Sequence, residues 1–125
     1  MQRLYRDDMD IATWWGSAVE CASAIARLER DAALSPPAAA AAFRRLSALR
    51  HGWHEIDPVE EIREVATRLL RVQALRAGDA LQLAAALLAA EARPSTLPFA
   101  CLDDRLAAAA RREGFPVVVG ARGRG

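Results

Sequence analysis

The sequence predicts a single α/β domain with a mostly parallel central sheet flanked by helices. Short apolar runs alternate with longer segments in which apolar residues recur at helical spacing. Two runs, "LPFACL" (97–102) and "FPVVV" (115–119), are continuously apolar, which is typical of strands covered by helices on both faces. With 125 residues, 53% of them hydrophobic, the chain is long enough for one domain with its own core.

The first half of the chain predicts a strand, two helices and a second strand. The second helix begins at a proline pair and stops at Gly52, in agreement with the preferences of helix ends. Adjacent strand residues point to opposite faces, so we expect at least one of Trp14 and Trp15 to lie in the core. The predicted elements are a strand at "MDIATWW" (9–15), a helix at 17–33, the proline-initiated helix ending at 52, and a short strand at "WHEI" (53–56).

The second half predicts two helices followed by a strand, a helix and a strand. From Pro58, apolar residues repeat at helical spacing, and "GDALQLAAALLAAEA" (78–92) follows as another helix. Between the two apolar runs, "DDRLAAAARREG" has acids at its start, arginines near its end and Gly114 just beyond, which are helix signals. We predict one domain over residues 1–119 and a disordered tail over 120–125.

Composition and charge exclude several classes of protein. Seventeen basic residues against sixteen acidic ones give a net charge of +1, which argues against a protein that wraps duplex nucleic acid but not against a nuclease. No apolar stretch approaches the roughly 18 to 20 residues of a membrane span, and no signal-peptide pattern is present. We therefore expect a cytoplasmic protein. Cys21 and Cys101 have no C-x-x-C spacing, so we expect two small buried thiols rather than a zinc site or a disulfide.

Acidic residues near predicted helix starts each have a structural explanation. Ser17 and Glu20 have the spacing of a capping box. Asp79 lies at a helix start, where the macrodipole favours a carboxylate by about 0.3 to 1 kcal/mol. Asp103 ends an apolar run in an N-cap position, and Asp104 is its expected exposed neighbour.

The same acids also predict a metal site. In an open parallel sheet the helix starts lie at the carboxyl ends of the strands, where such folds bind ligands. Glu20, Asp79 and Asp103 would repel one another there unless a proton or a cation is shared. Mg²⁺ or Mn²⁺ would neutralise the cluster and suit phosphodiester hydrolysis by an activated water. No phosphate-binding loop or nucleophile elbow competes, and His51 and His54 are expected to be exposed turn residues.

Three segments resemble a known family. "VECASAIARLER" (19–30), "LRAGDALQLAAAL" (75–87) and "FACLDDRLAAAARREGFPVV" (99–118) resemble PIN-domain proteins, especially the VapC-type toxins of bacterial toxin–antitoxin pairs. The similarity runs from about residue 9 to residue 119. It implies a PIN-like three-layer sandwich in which four acids gather around Mg²⁺ or Mn²⁺ to cut RNA. Glu20, Asp79 and Asp103 match the second, third and fourth acids, and Cys101 stands where the family commonly has threonine or serine.

The resemblance implies a function together with its partners. Family members open with an apolar strand ending in the first aspartate, so this chain resembles an N-terminally shortened member. We expect an Mg²⁺-dependent ribonuclease toxin, with weak or absent activity for the chain as written, that forms a homodimer and is silenced by an antitoxin protein. The alternative is a non-catalytic PIN-like interaction module, in which the acids only cap helices and exposed apolar surface binds a protein partner or a second copy.

Overall fold

The structure is a computed structural model that describes residues 11–101 and 103–119. Within these ranges the chain forms five α-helices, four three-residue strands and one short 3₁₀ helix, Pro94–Thr96. In chain order the elements are β1 (Ala12–Trp14), α1 (Ser17–Arg30), α2 (Pro36–Arg50), β2 (His54–Ile56), α3 (Glu60–Val72), α4 (Ala77–Ala89), β3 (Phe99–Cys101), α5 (Asp104–Arg112) and β4 (Val117–Val119). The predicted tail, 120–125, and the first two residues of the predicted strand 9–15 lie outside the described residues.

The fold is mixed α/β, and its elements follow the predicted order. The strands are shorter than the apolar runs that predict them, for a reason visible in the second half. Strand β3 begins directly after Pro98 and β4 directly after Pro116, and proline has no N–H to donate to a ladder. The finer architecture, a PIN-like three-layer sandwich around one central sheet, stays a prediction.

Two helices end earlier than the sequence predicts. Helix α1 stops before residue 33 and α4 before residue 92, the ends predicted from apolar and helix-forming composition. Beyond α1 the chain enters the left-handed region at Ala32 (φ 61°), and beyond α4 it does so at Glu91 and Ala92 (φ 52° and 63°). Helices commonly end through a residue in this conformation, and that residue is usually glycine. Because alanine and glutamate stand at these positions, the sequence did not indicate where the two helices end.

The chain divides into two compact units at the boundary between Ile56 and Asp57. No proline-rich, glycine-rich or serine-rich linker marks this boundary in the sequence. The interpretation of residues 1–119 as a single domain therefore stays a prediction. No helix in the described part of the chain is long and apolar enough to cross a membrane.

In the first unit, β1 and β2 pair in parallel around a small core. Thr13 lies opposite Glu55 in the register, and α1 packs against α2. Trp14 is buried and Trp15 is 54% exposed, which confirms that at least one of the two rings lies in the core. Gly16 allows the indole of Trp14 to pack closely, because a Cβ at residue 16 would lie 2.5 Å from Trp14 Nε1.

In the second unit, β3 and β4 pair in parallel and α5 connects them. Helix α3 packs against α4, and its buried face includes Leu69, which has no exposed surface. The rings of Phe99 and Phe115 lie 5.5 Å apart, next to the ladder. Gly114 follows α5 with φ 104°, and Phe115 N donates to Ala110 O at 3.0 Å, so the predicted glycine stop of this helix is confirmed.

Candidate metal centre

Asp103 joins β3 to α5 and caps the helix. Its Oδ1 accepts hydrogen bonds from Arg105 N at 2.8 Å and from Leu106 N at 3.4 Å, so the predicted N-cap is confirmed. Asp104 is exposed in the first turn of the same helix, also as predicted. Because both cap bonds use Oδ1, they fix the orientation of the Asp103 carboxylate without using its second oxygen.

Asp79 lies in the first turn of α4 and is half-buried. The N-cap residue of this helix is Arg76, whose side chain makes no capping bond. Burial raises the pKa of Asp79 above its ordinary value, and the negative charge of Asp103 raises it further, while Arg76 acts in the opposite direction. The fold therefore places the carboxylates of Asp79 and Asp103 within electrostatic reach of each other, and we call these two residues the acid pair.

Cys101 lies beside the acid pair at the end of β3. Its Sγ donates to the backbone oxygen of Asp103 at 3.6 Å. Burial is the main reason that the pKa of the Cys101 thiol is raised, and the charges of Asp103 and Asp79 also raise it. Both cysteines are free, as predicted, but the expectation that both are buried is wrong: Cys101 is half-buried and Cys21 is exposed. Cys21 lies near the exposed start of α1.

The two acids of the acid pair lie at the starts of two helices, and this position affects the interaction between their charges. Helix α4 packs against α5, and each acid belongs to the first turn or the cap of its helix. Helix amino ends carry a partial positive charge that partly offsets the repulsion between the carboxylates. The pKa of Asp79 is nevertheless raised, first by burial and then by the charge of Asp103. Oxygen-preferring Mg²⁺ is commonly held by one or two carboxylates, so the donor set of the pair fits such a cation.

Glu20 lies in the other unit, exposed in the first turn of α1. The predicted capping box is wrong, because Gly16 occupies the N-cap and Ser17 is already the first helical residue. Glu20 N donates to Gly16 O at 3.1 Å, as part of the helix rather than of a reciprocal cap. The Glu20 carboxylate also contributes, after burial, to the raised pKa of Cys21.

Of the three predicted ligands, the structure brings Asp79 and Asp103 together within one unit. Among the described residues, no group of three or more histidine, cysteine, aspartate or glutamate side chains could hold a metal ion. The three-acid cluster therefore stays a prediction, and its structural basis is the acid pair. His51 and His54 are both exposed, as expected, but His54 belongs to strand β2 and not to a turn. His51 Nδ1 lies 2.8 Å from Ser47 O.

Sequence reasoning missed Arg76. It stands three residues before Asp79, and its positive charge acts to lower the pKa of that carboxyl. The spacing of Arg76 and Asp79 could have identified it, because residues three apart across a helix start are neighbours. A cation beside the acid pair supplies the kind of group that attracts an anionic substrate to an acidic site.

No family model, curated protein or solved structure matches this chain significantly.

Proposed function

We propose that this chain is a PIN-like, VapC-type ribonuclease that hydrolyses RNA phosphodiester bonds with Mg²⁺ or Mn²⁺. In this proposal Asp79 and Asp103 hold the cation, Glu20 is the third acid, and the fold is a PIN-like three-layer sandwich. One observation carries the proposal: two carboxylates lie close enough for Asp103 to help raise the pKa of the half-buried Asp79. Such a pair favours a bound proton or a bound divalent cation.

The residues of the pair have different roles in this mechanism. The two cap bonds hold the Asp103 carboxylate in one orientation before substrate arrives, which lowers the entropy lost on binding. Asp79 is partly shielded from water, so its interaction with a cation is screened less than at an exposed position. When bound, the cation would lower the pKa of a water molecule and offset the charge developing on the phosphate. Arg76 would orient the phosphate beside the pair.

A cleavage assay tests the proposed chemistry. The chain is incubated with fluorescently labelled single-stranded RNA in Mg²⁺ and in EDTA. We expect weak cleavage by the chain as written, only with Mg²⁺, and its loss in Asp79→Asn and in Asp103→Asn, because each removes a metal ligand. Asp104→Asn is the matched control and should cleave normally. Cleavage that persists in EDTA, or at full rate in Asp79→Asn, would contradict the proposal.

Metal binding is measured separately from turnover. Mg²⁺ should raise the melting temperature of the wild-type chain, because a ligand that binds only the folded state stabilises it by mass action. Asp79→Asn should lose this shift. Glu20→Gln tests the third ligand: a smaller Mg²⁺ shift supports its inclusion, and an unchanged shift removes Glu20 from the site. An equal shift in wild type and Asp79→Asn would exclude the acid pair as the binding site.

The resemblance also assigns partners to the proposed enzyme. These are an RNA substrate, an antitoxin protein that covers the acidic groove, and a second copy of the chain, all in the cytoplasm. Light scattering after size-exclusion chromatography checks the homodimer. A monomer at micromolar concentration would contradict that part alone.

A second candidate function is a non-catalytic PIN-like interaction module. Trp15, two residues before α1, is 54% exposed, and Val19, in the first turn of α1, is 68% exposed. Exposed apolar side chains in a group are typical of interaction surfaces. If this module is correct, Val19→Ser should abolish self-association, and Mg²⁺ should stimulate no RNA cleavage. Self-association that is unchanged in Val19→Ser would argue against it.

A further inference from the structure

A network of polar contacts joins the carboxyl ends of α3 and α5. Arg68 Nη2 donates to Glu113 Oε1 at 3.2 Å, and Gln73 Nε2 donates to Glu113 Oε2 at 3.0 Å. Arg112 Nε donates to Gln73 Oε1 at 2.7 Å. These bonds hold two guanidinium groups in place while using one donor of each, and a guanidinium has five donors. Within residues 11–101 and 103–119, the remaining donors of Arg68 and Arg112 make no other hydrogen bond and can bind a ligand.

Arg71 adds a third guanidinium on the outer side of α3. Together with Thr67, Arg68 and Val72 it lines an open hollow of about 470 Å³. Arg71 and Arg112 are exposed, and the Arg68 side chain is 52% exposed. We call Arg68, Arg71 and Arg112 the basic strip.

Among the residues that the structure describes, one ion pair involves the basic strip. Glu113 is paired with Arg68 at 3.2 Å, and its side chain is only 14% exposed, so it balances one of the three arginines. Helix carboxyl ends favour basic residues, which accounts for part of this composition. That preference does not account for the bonds through Gln73 and Glu113 that join Arg112 of α5 to Arg68, which lines the hollow with Arg71.

Helix α5 links the basic strip to the acid pair. Asp103 caps its amino end, and Arg112 is its last residue. Nine helical residues at about 1.5 Å each span about 13 Å. A single strand of a few nucleotides is long enough to cover this distance.

We propose that the basic strip binds the sugar-phosphate backbone of single-stranded RNA and directs the strand along α5 towards the acid pair. The inference rests on the proposed ribonuclease function and assigns its substrate-binding residues. Arginine is suited to this role, because its planar fork donates two parallel hydrogen bonds to phosphate oxygens. RNA is favoured over an acidic peptide because the strand must continue to two carboxylates. Those carboxylates repel peptide acids, whereas a metal-bound site accepts phosphate.

Binding is measured by fluorescence anisotropy of a labelled single-stranded RNA in EDTA, where no metal-dependent cleavage occurs. For single strands, log K falls with log salt by about 0.7 per phosphate contact. Arg68→Gln with Arg71→Gln should therefore reduce the magnitude of the salt slope by about 1.4 and weaken binding roughly 20-fold at 0.1 M salt. Arg44→Gln with Arg45→Gln, on the exposed side of α2, is the charge-matched control and should leave the slope unchanged.

Two further variants separate binding from folding. Arg71 lies outside the Gln73–Glu113 network, so Arg71→Gln alone should fold normally and lose about 0.7 of the slope. Arg68→Lys with Arg71→Lys keeps both charges and should restore most of the affinity. Equal losses of RNA affinity in Arg68→Gln with Arg71→Gln and in the charge-matched control on α2 would overturn the inference. An unchanged salt slope in Arg71→Gln would overturn it as well. Binding of an acidic peptide to the strip, with RNA affinity unaffected by both strip variants, would overturn it as well.

Failure of this inference differs from failure of the proposed function. If Mg²⁺-dependent cleavage occurs and its KM is unchanged in Arg68→Gln with Arg71→Gln, the strip is excluded and the ribonuclease stands. If RNA binds through the strip but Mg²⁺ never stimulates cleavage, the strip stands and the ribonuclease is excluded.

Discussion

At the scale of single residues, Asp79 and Asp103 carry the same group in different environments. Asp103 gives one carboxylate oxygen to two backbone amides, and this structural role is complete without a metal. Asp79 makes no cap, is half-buried and faces the charge of Asp103. Capping therefore explains why an acid stands at residue 103, but burial beside another acid leaves Asp79 without a comparable structural benefit.

The raised pKa of Asp79 predicts a pH-dependent effect of Asp79→Asn in EDTA. Below the ordinary value of 3.8, Asp79 is protonated in the folded and unfolded chains, and its contribution to stability is fully present. As pH rises through the higher folded pKa, that contribution is lost, because the unfolded chain ionises more readily. Relative to wild type, Asp79→Asn should therefore gain stability between pH 3 and pH 7. Urea midpoints measure this difference, and a relative loss over the same range would reverse the sign.

The cap at Asp103 predicts a difference between two substitutions. Asp103→Ala should lower the free energy of unfolding by about 0.5 to 2 kcal/mol, because two amides at the start of α5 lose their acceptor. Asp103→Asn keeps an acceptor and should be nearly as stable as wild type. Chemical denaturation measures both, with Asp104→Ala as the neighbouring control. If Asp103→Asn is as unstable as Asp103→Ala, the free energy of unfolding depends on the negative charge of Asp103 and not on its hydrogen-bond acceptor.

Sequence reasoning identified some site residues and misjudged others for physical reasons. The cap at Asp103 was predictable because an acid directly follows an apolar run. The capping box at Ser17 failed because Gly16, with no polar side chain, takes the N-cap so that the Trp14 indole can pack against it. The electrostatic coupling of Asp79 to Asp103 depends on the packing of α4 against α5, which no local spacing encodes.

At the scale of elements, periodicity predicted the order of helices and strands but not their ends. Apolar residues at helical spacing select the face of α3 that packs, and Leu69 on that face has no exposed surface. Helix ends depend on where the backbone turns left-handed. At Ala32 this occurs without the glycine that usually reports it. The strands are short because the proline before a strand has no N–H to donate to the ladder. Which prolines have this effect depends on how the strands pair, and local sequence does not show the pairing.

The packing of α3 on α4 predicts unequal effects at two adjacent leucines. Leu69→Ala removes a fully buried side chain and should lower the free energy of unfolding by about 2 to 5 kcal/mol. Leu70 is 44% exposed, so Leu70→Ala should lower it by less than about 1 kcal/mol. Urea denaturation followed by circular dichroism compares them. Equal effects at both positions would show that the exposed face of α3 is also packed in solution.

At the scale of the whole molecule, the boundary after Ile56 separates the predicted ligands. Glu20 belongs to the first unit and the acid pair to the second. The predicted helix-start positions at one sheet edge and the family resemblance associate them, whereas no contact among the described residues of either unit does. The boundary has no compositional signal, because "EIDPVEE" joins a strand to a helix like any ordinary loop. An unfolding experiment can therefore test the single-domain prediction, by showing whether the two units unfold together.

If residues 1–119 form one cooperative domain, a substitution that destabilises the second unit must destabilise the first unit by the same amount. All three tryptophans, Trp14, Trp15 and Trp53, lie in the first unit, so their fluorescence reports on that unit alone. Leu69→Ala changes only the core of the second unit, and it should lower the urea midpoint seen by fluorescence and by circular dichroism equally, by roughly 1 M or more. Leu70→Ala should move neither midpoint by a comparable amount. A fluorescence transition that stays at its wild-type midpoint while the circular dichroism transition shifts would mean that the two units unfold independently, because two-state cooperativity requires coincident transitions.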